Sequence, residues 1–286
     1  MSLIAREACR GNMLVNLKDI SVKYSHDEDV LNKINLNIEK GEFIGIAGRS
    51  GSGKTTLLET IGGMRKPNSG HVFFYNEDIY QENYDTLNFR RKLQIVFQFP
   101  ENLFFEQDIF SEAAYGLRMS NMQQNDIRSR VSAGLESVGF GKDDFQKSPF
   151  TLSGGQKRRL ALACALVMQP EILLLDEPFS GLDTEGINLV SDILYREHKK
   201  GTTIILVSHN PNILSELCSR ILIVSNHSIA FDGTPAQVYN NTDSLKKIGV
   251  MIPDVKIFSQ LLGINHLENL TYEYFLKKTL QFISEK

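Results

Sequence analysis

The chain has 286 residues and a formal net charge of −3, from 31 Lys and Arg against 34 Asp and Glu. Hydrophobic residues make up 42% and charged residues 23%, a balance typical of globular proteins that excludes a disordered or collagen-like chain. The charge also argues against a nucleic-acid binder, which usually carries a basic excess, and against electrostatic adhesion to anionic lipid.

Membrane-spanning and secreted chains are also disfavoured. A spanning helix needs about 20 consecutive apolar residues, whereas the densest apolar stretches here, such as Ile172–Leu175, are only four residues long. Charged residues interrupt the N-terminal segment before a signal peptide could form. Cys9, Cys164 and Cys218 are scattered and odd in number, so we expect reduced thiols without assigned chemistry. The composition therefore predicts a cytoplasmic chain.

The first part of the chain predicts several strands and one helix. Apolar residues alternate with polar ones in two stretches, and a continuous apolar run is typical of a strand buried on both faces. The strands are expected at Ile20–Tyr24, Ile34–Ile38, Phe43–Ala47, Val72–Tyr75 and Ile95–Phe97. A glycine-rich loop follows the third of them and leads into a helical pattern that carries Leu57, Leu58 and Ile61.

The middle of the chain has a helical pattern. Ile127, Val131, Leu135 and Val138 recur at helical spacing, and Gly139 stands where a helix would end. Strand patterns then return, separated by helical segments, at Ile172–Leu175, Thr203–Val207 and Ile221–Val224. This alternation predicts an α/β fold with a mainly parallel sheet, into which a helical segment at about 100–150 is inserted. Beyond Asn241 a short tail contains Pro253 and two expected helices.

The segment Gly48–Thr55 fits the pattern G-x-x-x-x-G-K-[ST] between a buried strand and a helix. Glycines allow successive backbone N–H groups to surround a phosphate, and the helix N-terminus adds positive potential. Lys54 can reach the β and γ phosphates, while the hydroxyl of Thr55 can bind Mg²⁺. The loop therefore predicts a binding site for a nucleoside triphosphate.

A second acidic element follows the apolar strand that ends at Leu175. Asp176 stands at the carboxyl edge of the sheet, where ligands of α/β proteins bind, and can hold Mg²⁺ through water. Glu177 can polarise the water that attacks the γ phosphate. The alternative is that Glu177 is a solvated loop acid.

The pentapeptide Leu152–Gln156, Leu-Ser-Gly-Gly-Gln, resembles the signature of ATP-binding cassette (ABC) ATPases. Ser153 and the glycines after it could form a second anion cradle at a helix start. The resemblance implies a P-loop NTPase of the ABC type, with a mainly parallel sheet core, an antiparallel β subdomain and an inserted α-helical subdomain. It also implies that two ATP molecules are held between the phosphate loop of one subunit and the signature of another.

Other positions match the family one by one. Tyr24 resembles the aromatic residue that stacks on adenine, although an aromatic at a strand end is more often a core residue. Gln98 resembles the Q-loop glutamine, which touches Mg²⁺ and senses the membrane partner, and Asp183 belongs to a D-loop-like Ser-Gly-Leu-Asp. His209 resembles the switch histidine that contacts the γ phosphate; the alternative is a locally satisfied strand-end histidine. The implied ATP-binding set is Tyr24, Gly48, Ser50, Gly51, Ser52, Gly53, Lys54, Thr55, Thr56, Gln98, Ser153, Gly154, Gly155, Gln156 and Asp183.

The implied catalytic residues are Lys54, Glu177 and His209, and the implied metal ligands are Thr55, Gln98 and Asp176, with ATP and Mg²⁺ as cofactors. The remaining histidines are expected at the surface or in packing positions: His26, His71, His198, His227 and His266.

Gln98-Phe-Pro-Glu101 and the run Leu152–Arg159 resemble energy-coupling factor (ECF) ATPases, which drive uptake of vitamins or transition-metal ions. The resemblance implies a second ABC ATPase subunit, identical or different, a transmembrane coupling protein and a membrane-embedded substrate-binding subunit. It places the chain on the cytoplasmic face of the cell membrane, without a nucleic-acid partner. Glu101 is expected to meet an arginine of a coupling helix, or alternatively to be a solvated loop acid.

Two other functions stay open within the resemblance. One is the ATPase of another ABC importer or exporter, and the other, disfavoured by the charge, is a soluble ABC ATPase that acts on nucleic acid. We expect an ATPase domain at 13–240, with its helical subdomain at about 100–160, and a helical C-terminal extension at 241–286.

Overall fold

The computed structural model describes residues 12–24, 29–119, 122–264 and 267–284. The expectations for Cys9, His26 and His266 lie outside these ranges. The strands, β1 to β10 in chain order, are Met13–Lys23, Asp29–Glu39, Phe43–Ala47, Ser69–Phe74, Glu77–Asp78, Leu93–Val96, Ile172–Asp176, Thr203–Val207, Arg220–Ser225 and Ser228–Gly233. The helices, α1 to α11, are Lys54–Ile61, Thr86–Lys92, Ile109–Arg118, Gln124–Ser137, Gly154–Leu166, Thr184–Lys199, Pro211–Leu217, Pro235–Tyr239, Thr242–Lys247, Asp254–Leu261 and Tyr272–Ser284.

The chain forms two compact units. The first contains the described residues of Met1–Glu82 and Ile205–Lys286, and the second contains Asn83–Ile204. The chain therefore passes from the second unit to the first within β8. Among the described residues, no helix combines the length and the apolar character that a bilayer crossing requires.

In the first unit, an antiparallel sheet has the strand order β2-β1-β4-β5. Its alternating apolar residues face the core: Leu17 lies opposite Leu36 on one side and Val72 on the other, and all three are buried. This is the predicted antiparallel β subdomain. The predicted fourth strand ends one residue early, because Tyr75 turns into the left-handed region with φ +49°.

The same unit contains the buried strand β3, which pairs with β9 in parallel, while β10 pairs with β9 in the antiparallel direction. All five side-chain positions of β3 are buried, as its unbroken apolar run predicts. Gly45 allows a close approach, because a Cβ there would lie 2.9 Å from Leu214 of α7. The carboxyl end of β3 leads directly into the glycine-rich loop and α1.

The C-terminal helices α9 to α11 belong to the first unit. Leu245, Val250 and Val255 are buried there, and Asn212 and Asp254 exchange two hydrogen bonds of 2.8 Å between α7 and α10. Gly249 has φ +70°, and a Cβ at this position would lie 2.8 Å from the side chain of Arg49 in the glycine-rich loop. The predicted boundary at residue 241 stays a prediction.

The second unit combines the parallel pair β6 and β7 with helices α2 to α6. Helix α4 has the predicted spacing: Ile127, Val131 and Leu135 are buried, and Gly139 follows the helix end with φ +85°. Short helical turns accompany α3 and α4 between residues 100 and 151, so the segment expected to be helical is helical.

Several elements were missed. Strand β10 exposes alternate residues at Ser228, Ala230 and Asp232, and its two large apolar residues, Ile229 and Phe231, are too few to establish an alternating pattern. Helices α2 and α8 have only seven and five residues, which is shorter than two full periods of the helical pattern.

Candidate functional site

The glycine-rich loop lies in the first unit, between β3 and α1. Gly48, Gly51 and Gly53 have φ angles of +154°, +77° and +98°, which L side chains rarely adopt. At Gly48 the space is closed as well, because a Cβ would lie 2.3 Å from the carbonyl oxygen of Val224 in β9. Glycine is therefore favoured at all three positions and required at Gly48, and the loop leads into the N-terminus of α1.

Polar groups converge on the same loop. The ammonium Nζ of Lys54 donates to the carbonyl oxygens of Gly48 and Arg49, at 3.0 and 2.8 Å. The hydroxyl of Ser52 is buried and has no hydrogen-bond partner. A buried hydroxyl without a partner costs stability, so it needs a ligand or water. A cationic side chain, a helix start and an unpaired donor fit a phosphate group.

Tyr24 and His209 lie in the same unit as the loop. The phenol oxygen of Tyr24 is 3.0 Å from Oγ1 of Thr56 on α1, and the residue is 44% exposed, so it is not a core residue. His209 is exposed in the turn between β8 and α7, whose first N–H groups are capped by Asn210. Thr55 is in the first turn of α1.

The acidic pair lies in the second unit. Asp176 is the last residue of β7 and is buried, and Glu177 is 9% exposed with φ +50°. This burial contradicts the alternative of a solvated loop acid at Glu177. Left-handed backbone at a residue other than glycine costs about 1–3 kcal/mol and is common at functional sites. Gln98 and Glu177 line one small cavity together with Arg158.

The signature segment begins α5. Ser153 caps the helix: its backbone N–H donates to Oε1 of Gln156 at 2.9 Å, and the N–H of Gln156 donates to Oγ of Ser153 at 3.3 Å. A Cβ at Gly154 would meet nothing within 4 Å, so the start of the helix is open. A concavity of about 390 Å³ is lined by Ser153, Gly155, Gln156, Gly181 and Asp183, among others. The structure thus brings the signature and the D-loop-like segment together, and Asp183 caps α6 through the N–H of Gly186 at 2.8 Å.

A second, more apolar groove of about 390 Å³ is formed by α2, β6, α3, α5 and the turn at Pro100–Leu103. Its charged lining residues are Arg90, Arg91 and Glu112. The carboxylate of Glu112 already accepts the N–H groups of Phe105 and Glu106, at 3.0 and 2.8 Å. Glu101 belongs to the turn, half-buried, but it is not among the lining residues.

Neither described cysteine has the lowered pKa of a reactive thiol. Burial raises the pKa of the Cys164 thiol, and the charge of Glu112 raises it further; burial alone raises the pKa of Cys218. Both thiols stay protonated at neutral pH, which agrees with assigning them no chemistry.

Two arginines near these sites were not anticipated. Nη1 of Arg158 is buried without a hydrogen-bond partner beside Glu177 and Gln98. The guanidinium of Arg65 lies over the ring of Tyr24. Arg158 lies within the run Leu152–Arg159, but its proximity to Glu177 and Gln98, like that of Arg65 to Tyr24, arises only in the folded chain.

The profile of the ABC transporter family matches residues 31–180, which include the phosphate loop, Gln98, the signature and the acidic pair. The chain belongs to the ABC transporter ATPase family. It is 37% identical to the energy-coupling factor transporter ATP-binding protein EcfA2 of Clostridium tetani over 266 residues, 91% of this chain and 92% of that protein.

Solved ABC structures share the fold. CbiO1 of Clostridium perfringens, part of the ABC transporter complex CbiONQ, superposes with a TM-score of 0.74 at 30% identity and covers 87% of this chain and 99% of its own. The dimeric, post-hydrolysis ATP-binding cassette MJ0796 bound to ADP and Pi gives a TM-score of 0.71 at 29% identity, with coverages of 78% and 99%. These likenesses confirm the P-loop fold of the ABC ATPase type, and an ABC ATPase binds ATP.

Proposed function

We propose that the chain is the ATP-hydrolysing motor subunit of an energy-coupling factor importer, which couples ATP turnover to uptake of a vitamin or a transition-metal ion. The observation that carries the proposal is the glycine-rich loop, where Lys54, the start of α1 and the unpaired hydroxyl of Ser52 converge. An anion of high charge fits this arrangement, since the helix dipole and the ammonium both favour negative charge.

The family's roles can be assigned to residues of suitable chemistry. Lys54 binds the β and γ phosphates, and His209 contacts the γ phosphate. Mg²⁺ would be held by the hydroxyl of Thr55, the amide of Gln98 and, through water, Asp176, and when bound it neutralises charge on the phosphates.

Glu177 is proposed as the general base. Glu177 directly follows the buried strand β7, and its left-handed backbone conformation fixes the position of its Cβ. A general base must lie within hydrogen-bond distance of the water that it activates, so a side chain with a fixed position suits this role. The cavity that Glu177 shares with Gln98 supports this role.

The open concavity at Ser153 supports a second ATPase subunit as a partner. Its glycines and the helix start of α5 resemble an anion cradle, and the phosphate loop already provides one cradle in this chain. We propose that the signature receives the γ phosphate bound by a partner cassette, either a second copy or a related chain. The dimeric cassette among the structural relatives supports this arrangement.

The apolar groove between α2, α3 and α5 supports a membrane partner. Half-buried apolar grooves commonly receive an amphipathic helix. We propose that a transmembrane coupling protein docks here, that a membrane substrate-binding subunit completes the complex, and that the chain lies peripherally on the cytoplasmic face of the cell membrane. The Gln98–Glu101 segment and the likeness to EcfA2 and CbiO1 support the ECF assignment over other ABC importers and exporters.

The Glu177→Gln substitution tests the proposed reaction. It keeps the shape of the side chain and removes the base, so we expect ATP hydrolysis to fall at least about 100-fold, a typical contribution of general-base catalysis, while ATP still binds. Phosphate release in the assembled complex and binding of labelled ATP measure the two effects. The matched control is Glu136→Gln, on the exposed face of α4, which should keep full activity. Steady hydrolysis by the Glu177→Gln variant would contradict the assignment.

A further inference from the structure

The ring of Tyr24 is held between two contacts with the segment that carries the phosphate-binding lysine. Its hydroxyl is 3.0 Å from Oγ1 of Thr56, and the guanidinium carbon of Arg65 lies 4.5 Å from the centre of its ring. Thr56 belongs to α1, and Arg65 follows the end of that helix by four residues. The ring is thereby fixed in both position and tilt.

Arg65 is itself immobilised. Its Nε donates to Oε2 of Glu59 at 2.8 Å, and its backbone N–H donates to the carbonyl oxygen of Glu59 at 3.2 Å. Its own carbonyl oxygen accepts the hydroxyl of Tyr80 at 2.9 Å. Because hydrogen bonds hold both its Nε and its backbone, the guanidinium keeps its plane over the ring without losing much further side-chain entropy.

One face of the Tyr24 ring is therefore occupied by a cation, yet the residue remains 44% exposed. A planar base can stack only on the opposite face. The cation attracts the electron density of the ring, so the far face is less negative and repels the π-electrons of a nucleobase less.

We propose that Arg65 is a positioning residue for nucleotide binding: it completes a three-layer stack of guanidinium, tyrosine ring and nucleobase. This inference rests on the proposed function, in which Tyr24 is the platform for the base. Arg65 touches the tyrosine and not the nucleotide, so it contributes to the affinity for the base and not to the affinity for the phosphates. Glu59, which holds Arg65, belongs to α1. The residues that bind the base and those that bind the phosphates are thereby connected through one helix.

The Arg65→Met substitution tests the proposal, because methionine keeps an unbranched apolar stem and removes the planar charge. We expect the affinity for Mg-ADP to fall about threefold to tenfold, the range expected for loss of one cation–π contact. The affinity for inorganic tripolyphosphate, which has no base, should stay at the wild-type value. Isothermal titration calorimetry on the full chain measures both ligands, and ADP is not turned over during the titration.

The neighbouring residue provides the matched control. Lys66 also lies over a tyrosine, with its Nζ 5.6 Å from the ring centre of Tyr80. Lys66→Met makes a comparable change of charge one position away, and should leave both affinities unchanged. The Arg65→Lys variant keeps the charge but loses the planar guanidinium. Its affinity for Mg-ADP should lie between those of Arg65→Met and wild type.

The outcomes separate this inference from the proposed function. If Tyr24→Ala binds Mg-ADP as tightly as wild type, the base platform itself is wrong. If Tyr24→Ala weakens binding and Arg65→Met does not, the platform stands and the role of Arg65 is overturned. A loss of tripolyphosphate affinity equal to the loss for Mg-ADP would also overturn it, because Arg65 would then act through the phosphate loop. In the Tyr24→Ala background, Arg65→Met should have no further effect on Mg-ADP binding.

Discussion

At the residue scale, Lys54 has two roles in the phosphate loop. Its ammonium bridges two carbonyl oxygens of the loop, Gly48 and Arg49, so it both shapes the cradle and brings positive charge to it. Charge-assisted hydrogen bonds of this kind are roughly twice as strong as neutral ones.

We expect Lys54→Ala to weaken ATP binding at least about 100-fold, since it removes the cation proposed to bind the phosphates, at about 1.5–3 kcal/mol for each hydrogen bond to a charged group. Titration with a fluorescent ATP analogue measures the loss. Lys18→Ala, an exposed lysine on β1, is the control and should bind as wild type. Binding of wild-type strength by the Lys54→Ala variant would contradict the role of Lys54.

At the residue scale, the sequence was informative where the residues of a motif follow one another in the chain. The phosphate loop, the acidic pair and the signature each occupy a few consecutive residues, so their patterns could be recognised without a structure. Glu177 is buried, which a solvated loop acid would not be. The proximity of Arg65 to Tyr24 and of Arg158 to Glu177 could not be found in this way, because the members of each pair are at least 19 positions apart and no local pattern records it.

At the scale of elements, the strands that are fully buried were predicted correctly, because burial on both faces requires a mainly apolar sequence. The fully buried β3, β7 and β8 are continuous apolar runs, and the predicted bounds of β3 and β8 are those of the structure. The exposed edge strand β10 and the short helices α2 and α8 were missed, since their stability comes from tertiary packing that leaves only a weak periodic pattern.

The turn Pro100–Leu103 forms one wall of the apolar groove. We expect Glu101→Arg to reduce recovery of the transmembrane coupling protein, since the substitution replaces the proposed acidic contact of the coupling-helix arginine with a cation. Co-purification from detergent-solubilised membranes, quantified by mass spectrometry, measures the effect. Undiminished recovery would favour a solvated Glu101, and Glu136→Arg on α4 controls for the change of charge.

At the scale of the whole chain, the C-terminal helices α9 to α11 belong to the first unit, where Leu245 and Val255 are buried. The paired hydrogen bonds between Asn212 and Asp254 connect α7, which follows His209, to α10. Helices α9 and α10 therefore depend on the same unit that carries the phosphate loop.

We expect Asn212→Ala to lower the free energy of unfolding by about 1 kcal/mol, because two exposed hydrogen bonds are lost and Asp254 can be solvated instead. This corresponds to a melting temperature lower by about 2–4 °C for a chain of this size. Differential scanning calorimetry measures the shift, with Asn188→Ala on the exposed face of α6 as the control. An unchanged melting temperature would show that the pair does not contribute to stability.

The close packing of Gly249 against Arg49 limits how such chains can be recombined. The residue after Gly48 is unrestricted in the phosphate-loop pattern, but here its side chain fills the space that a Cβ at position 249 would need. A chimera that received its last 45 or so residues from a related ATPase would bring a new neighbour to the phosphate loop. In a protein-engineering experiment, Arg49 and the C-terminal helices should therefore be transferred together.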